Sequence, residues 1–186
     1  MLVKITKSLS LTANNNELSL KKVGKTKQML QLNLIRHAKT EPQSKIGRDF
    51  DRELLPKGRK QAELLAAFLQ ENGIQLGNVF CSTAARTKET ATFITETTAC
   101  HIDFFDELYL ASCSELKQFI AQQNGKTITI IGHNEGISEL ASMLCGELYV
   151  LQTAGFIQLQ IELEDWAHIS YDTAIVTTRF RPEVLL

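Results

Sequence analysis

The sequence predicts an α/β fold in which helices flank a mostly parallel central sheet. Three observations predict it. After Met29, apolar runs of strand length alternate with helix-length periodic segments. Two of those runs, "MLQLNLI" and "TITII", read as mostly buried strands. No internal repeat and no linker interrupts the alternation, so 29–186 is expected to be one domain.

The elements follow in order. "MLQLNLI" alternates around Leu30, Leu32 and Leu34 and closes on Ile35. "LPKGRKQAELLAAFLQENG" is the clearest helix, with Pro56 near its start, Leu64, Leu65, Phe68 and Leu69 on one face, and Gly73 past its end. "NVFCS" is a short strand, and a helical stretch runs from about Thr83 to Thr97. An extended piece from His101 to Phe105 and a helix near Ser114–Gln122 come next. "TITIIGHNEGISELASMLCG" is an apolar strand that breaks at Gly132-His133-Asn134 into a helix ending at Gly146. "AGFIQLQIEL" and "TAIVTTRF" are closing strands.

Composition narrows the class. With 44% hydrophobic and 22% charged residues, the chain has the balance of a soluble globular protein. No apolar run approaches the ~20 residues that span a bilayer. The cysteines (Cys81, Cys100, Cys113, Cys145) are scattered without C-x-x-C spacing, which indicates neither a zinc site nor a disulfide framework. A reducing, cytoplasmic setting is the expectation. Residues 1–28 differ, with six lysines against one acid and the run Asn14-Asn15-Asn16. They read as an extension outside the core, and an organelle transit role for them stays open.

The polar ends of the strands suggest the chemistry. The first strand ends in Arg36-His37, the second runs into "CSTAART" with Arg86, and the fourth ends in Gly132-His133. In a parallel sheet those ends share one edge, where such sheets bind ligands. Two arginines and two histidines gathered there repel one another unless an anion of phosphate size sits among them. A single strand-end histidine is more often a surface or core residue. Three strand ends repeating the pattern argue for a pocket.

The motifs "LIRHAKT", "DFDRELLPKGRKQA", "CSTAARTKETA", "DELY" and "IIGHNEGISELASML", taken in order, resemble those of the histidine phosphatase superfamily. The branch most similar is the short SixA-type phosphohistidine phosphatases, to which "QTAGFIQLQIE" is also similar. The resemblance implies a three-layer phosphoglycerate-mutase-like fold and a phosphatase that needs no metal or cofactor. It implies His37 as the nucleophile, with Arg36, Arg86 and His133 binding the phosphoryl oxygens. Glu107 of "DELY" matches the family's general acid best, with Asp106 its rival. Arg52, Ser82 and Asn134 are expected to touch substrate. Arg52 could instead form a local ion pair with Asp51, and Ser82 with Thr83 could instead cap the following helix.

The chemistry of these residue types agrees. A neutral imidazole can attack phosphorus without a separate base, while its other nitrogen donates a hydrogen bond that fixes the tautomer. Paired guanidinium groups suit the charge that spreads over equatorial phosphoryl oxygens. His37 is expected to stand exposed at its strand end. "CSTAAR" is not the Cys-x5-Arg loop of cysteine phosphatases, because four residues separate Cys81 from Arg86 and none is glycine. Cys81 reads as a buried strand-end residue, and His101 and His168 as surface residues.

Only twenty residues separate Arg86 from Glu107, which leaves no room for a roofing insertion and implies an open, shallow site. Such a site favours phosphohistidine presented by a partner protein. Two alternatives remain: a broad phosphomonoesterase of small metabolites, and a non-catalytic phospho-binding module. No nucleic-acid or membrane partner is indicated. A monomer is expected, although nothing in the sequence specifies an oligomeric state.

Overall fold

A computed structural model describes residues 29–45 and 47–183. The Lys-rich extension expected at 1–28 lies outside them. Six strands form one sheet: β1 (Leu30–Arg36), β2 (Asn78–Ser82), β3 (Ile102–Phe105), β4 (Thr127–Gly132), β5 (Phe156–Ile161) and β6 (Ala174–Phe180). Four helices cover it: α1 (Pro56–Glu71), α2 (Ala85–Thr98), α3 (Cys113–Ala121) and α4 (Gly136–Cys145). The order across the sheet is β3-β2-β4-β1-β5-β6. The β1–β4, β2–β4 and β2–β3 pairs are parallel, while β5 and β6 join antiparallel. This is the three-layer, mostly parallel arrangement expected from the alternation of elements.

Each face of the sheet packs its own core. Leu30, Leu32, Leu34, Ile128 and Ile130 meet Leu116 and Ile120 of α3 and Leu140 and Leu144 of α4. On the other face Ile35, Val79 and Ile131 meet Leu65 and Leu69 of α1 and Ile94 of α2. Because both faces are covered, the central strands read as near-continuous apolar runs. α3 begins with a capping box between Ser112 and Glu115, and α1 begins on Pro56. Among the described residues no helix is long and apolar enough to cross a membrane.

Two differences from the sequence expectations are local. α2 starts at Ala85 with Ala84 as its N-cap and no side-chain cap, so Ser82 and Thr83 do not cap it. The Asp51–Arg52 pair does not form either. A 3-10 turn over Asp49–Asp51 pairs Arg48 with Asp51 and Asp49 with Arg52, three residues apart.

The topology decides where a ligand can sit. β1 and β4 are neighbours, with Arg36 in register with Gly132. The helix after β1 lies on one face of the sheet, and the helix after β4 lies on the other. That divergence opens a crevice at the carboxyl ends of the two strands. The start of α1 is held against the loop that follows His37: Leu55 N donates to the Lys39 carbonyl at 3.0 Å, and Lys39 N to Gln61 Oε1 at 3.0 Å. Gly58 allows this approach, since a Cβ there would fall 1.9 Å from the Lys39 carbonyl oxygen. Gly58→Ala is therefore expected to cost roughly 1–3 kcal/mol, the range for overpacking. Thermal denaturation checks this, and an unchanged midpoint would refute the close packing.

Candidate active site

The sheet edge brings together residues far apart in sequence. Arg36 and His37 leave β1, Arg86 stands in the first turn of α2, and His133 and Asn134 follow β4. With Asp49 and Arg52 they line a cavity of about 560 Å³ that also meets Lys39, Thr40, Leu110 and Thr153. Four of its lining residues are basic and one is acidic, which suits an anion.

His37 is not the exposed strand-end residue the sequence suggests. It is only 7% exposed, because the segment after it turns inward and hydrogen-bonds on both sides. His37 N donates to the Gly132 carbonyl at 3.1 Å, Ala154 N donates to the His37 carbonyl at 3.0 Å, and Ala38 N donates to Thr90 Oγ1 at 3.0 Å. The ring Nδ1 lies 2.8 Å from the Ala38 carbonyl oxygen. A carbonyl only accepts, so Nδ1 carries the proton and Nε2 keeps its lone pair.

The His133 ring centroid lies 5.3 Å from that of His37. Its Nε2 meets Ser82 Oγ at 2.8 Å, so Ser82 holds the second histidine. His133 Nδ1, Arg36 Nε and Arg86 Nε are buried and find no hydrogen-bond partner within the protein. Leaving such nitrogens unpaired costs about 1–3 kcal/mol each, which a bound oxyanion would offset.

Arg86 is 1% exposed, and its fork is set by Asp49. Nη1 donates to the Asp49 carbonyl at 2.8 Å and Nη2 to Oδ2 at 3.0 Å. Tyr109 OH donates to the same Oδ2 at 2.7 Å, and Arg52 Nε lies 2.8 Å from Oδ1. Burial alone would raise the Asp49 carboxyl, but the Tyr109 hydrogen bond and the Arg86 and Arg52 charges outweigh it and hold it below the usual range. Arg36 Nη1 donates to the Leu151 carbonyl at 2.9 Å, and Asn134 Nδ2 to the same oxygen at 3.3 Å.

Burial and the surrounding arginines also act on the imidazoles. Burial first, then Arg86, Arg36 and Arg52, push His37 down to about 3 against the Ala38 hydrogen bond. Burial and Arg86 push His133 down to about 2. Both rings are neutral at neutral pH. The unfolded chain, with pKa near 6.5, then binds protons that the folded chain refuses. Their contribution to stability is complete above ~6.5 and is lost as pH falls toward 3, by up to about 1.4 kcal/mol per pH unit for each ring. Urea unfolding between pH 7.5 and 5 is expected to show this fall. Stability that is flat or rises on acidification would mean the rings are charged.

Glu107 does not join the group. It is exposed on a 3-10 turn over Asp106–Leu108 after β3 and lines a neighbouring depression with Asp106, Tyr109 and Glu115. Asp106 accepts from Thr83 there. Sequence reasoning missed Asp49 and Tyr109; the D-x-x-R spacing before α1 was the available signal for Asp49, and Tyr109 has none beyond its place in "DELY". Cys81 is fully buried, and burial pushes its thiol well up. Among the described residues no cluster of three or more His, Cys, Asp or Glu side chains could hold a metal ion.

This edge, with its paired histidines and arginines around an anion-sized cavity, fits the comparison with known families. A sequence model of the histidine phosphatase superfamily (branch 1) matches residues 32–115. Among solved structures it is similar to a Nakamurella multipartitia protein provisionally named phosphohistidine phosphatase SixA. The TM-score is 0.72 at 24% identity, over 84% of this chain and 98% of that one. It is also similar to the protein histidine phosphatase SixA complexed with tungstate, at TM-score 0.67 and 14% identity over 81% and 96% of the two chains. A mycobacterial glucosyl-3-phosphoglycerate phosphatase matches at TM-score 0.60 and 15% identity over 80% and 97%. No curated protein matches the chain in sequence.

Proposed function

We propose that the protein is a phosphatase that works through a phosphohistidine on His37 and acts on phosphohistidine carried by a partner protein. The observation that carries the reading is the neutral His37 ring, pinned through Nδ1 to the Ala38 carbonyl, beside buried arginine and histidine nitrogens without protein partners.

In the first step His37 Nε2 attacks phosphorus while the bond to the leaving group breaks. Arg36 and Arg86 neutralise the oxygens as charge spreads over them, and the neutral His133 ring donates a hydrogen bond to them from Nδ1. The proton on Nδ1 stays, so the phosphoimidazole is cationic and readily hydrolysed. Water then attacks it, releasing phosphate and restoring the ring. Asn134 and Arg52 shape the cavity around the leaving group.

The choice of substrate rests on the leaving group. Asp49 is the one carboxyl lining the cavity among the described residues, and its partners keep it ionised. It is therefore a poor proton donor to a departing alkoxide. A departing imidazole needs less help, which favours phosphorus–nitrogen bonds over alkyl phosphate esters. The cavity volume of about 560 Å³ would admit a small metabolite, and that supports a broad phosphomonoesterase as the second reading.

Turnover measured across phosphohistidine proteins, phosphoramidates and sugar phosphates separates the two. Higher kcat/KM for sugar phosphates would overturn the first. Side chains supply every charge in these steps, so activity is expected to survive exhaustive chelation and to be inhibited competitively by tungstate. Loss in chelator with recovery on adding Mg²⁺ or Zn²⁺ would refute this.

A further inference from the structure

We infer that the face between the 148–152 strap and edge strand β6 is the docking surface for the phosphorylated partner, and that the partner presents an acidic residue beside an apolar one there. This rests on the phosphoprotein reading above.

A groove of about 370 Å³ runs between the strap and the end of β6. Leu148 and Val150 stand on its rim, 86% and 62% exposed, where isolated large aliphatic side chains lose most by facing water. Arg179 of β6 and Arg181, just past the end of that strand, both line the groove. Neither forms an ion pair among the described residues; the Arg179 guanidinium instead lies 5.7 Å over the Tyr149 ring. Glu147 accepts from Tyr149 OH at 3.3 Å but does not line the groove, whose own lining is mostly apolar and uncharged apart from the two arginines.

The groove is continuous with the candidate active site. Leu151 walls the groove, and its carbonyl holds Arg36 and Asn134. Thr153, two residues on, lines the catalytic cavity, and Ala154 N is bonded to the His37 carbonyl. β6 runs parallel to β1 by way of β5, so Arg179 emerges at the same edge as His37. A partner that inserts a phosphoryl group into the cavity can thus rest its neighbouring surface on the strap and β6.

Charge selects this occupant over two others. A second copy docked face to face would oppose arginine to arginine. The Lys-rich 1–28 segment carries net +5 and is repelled by the same pair. An acidic, apolar-bearing surface is complementary in both respects.

The test uses the full chain and two synthetic peptides phosphorylated on histidine, identical in apolar residues, one flanked by Asp and Glu and the other by Lys. Free phosphohistidine and p-nitrophenyl phosphate are the references. The acidic peptide is expected to be hydrolysed with kcat/KM at least roughly tenfold higher at low salt, with the gap narrowing as salt rises. R179E/R181E is expected to reverse the preference, and L148S/V150S to raise KM for both peptides. Free phosphohistidine turnover stays unchanged in every variant. If both peptides are hydrolysed equally and all variants match the wild type, the docking face is wrong while the phosphohistidine function stands. If only p-nitrophenyl phosphate is hydrolysed, the phosphoprotein reading fails and this inference with it. A change of oligomeric state in the variants by light scattering, or the same peptide effects on deleting residues 2–28, would assign the face to a second copy or to that segment and overturn the proposal.

Discussion

His37→Ala is expected to remove phosphatase activity by at least roughly 10⁴-fold, the scale on which covalent nucleophiles act. The ring supplies the only atom that bonds phosphorus in the proposed path, and none of its neighbours can replace it. Ser82 is turned to His133, and burial keeps the Cys81 thiol protonated. Because His37 is buried, alanine also removes the bond to the Ala38 carbonyl and leaves a small void. Some loss of stability is therefore expected alongside the loss of activity. His37→Asn, which keeps a donor and most of the volume, serves as the folding control and should be equally inactive. In the wild type, rapid quenching should trap an acid-labile, alkali-stable phosphoryl group on His37. Activity above a few per cent in a folded variant, or a phosphoryl group on another residue, would refute the assignment.

Arg86→Lys is expected to lower turnover by roughly a hundredfold, about 3 kcal/mol, while weakening inorganic phosphate binding much less. If Arg86 supplied charge alone, lysine would keep most of the rate. Its fork, however, is held by two separate oxygens of Asp49, and that bracing fixes the direction in which its remaining N–H groups point. A lysine ammonium is a point charge on a flexible stem and cannot meet both Asp49 and two phosphoryl oxygens in one plane. The transition state depends on that plane more than a ground-state dianion does, so the loss should fall on kcat. Turnover and phosphate affinity measured on one preparation, with thermal melting to confirm the fold, decide the matter. Equal losses would mean that Arg86 provides uniform binding only.

The sequence by itself determined the architecture and the core of the candidate site, because both depend on short-range pattern. Apolar alternation in "LQLNLI" and "TITII", and Pro56 and Gly73 bracketing α1, are local signals that survive folding with small shifts of boundary. Parallel strands must end on one edge, so Arg36, His37, Arg86 and His133 converge once the strands are recognised. Tertiary structure alone decided the rest. Asp49 meets Arg86 and Tyr109 across 37 and 60 residues of chain, a juxtaposition no local period encodes. Glu107 follows edge strand β3, which β2 and β4 separate from β1, and its side chain is exposed. His37 is buried because the segments around Thr90, Gly132 and Ala154 close over its backbone. Long-range packing sets which side chains brace one another and how far water reaches them. The charge state of the two histidines, neutral through burial among arginines, is therefore a property of the fold rather than of the motif.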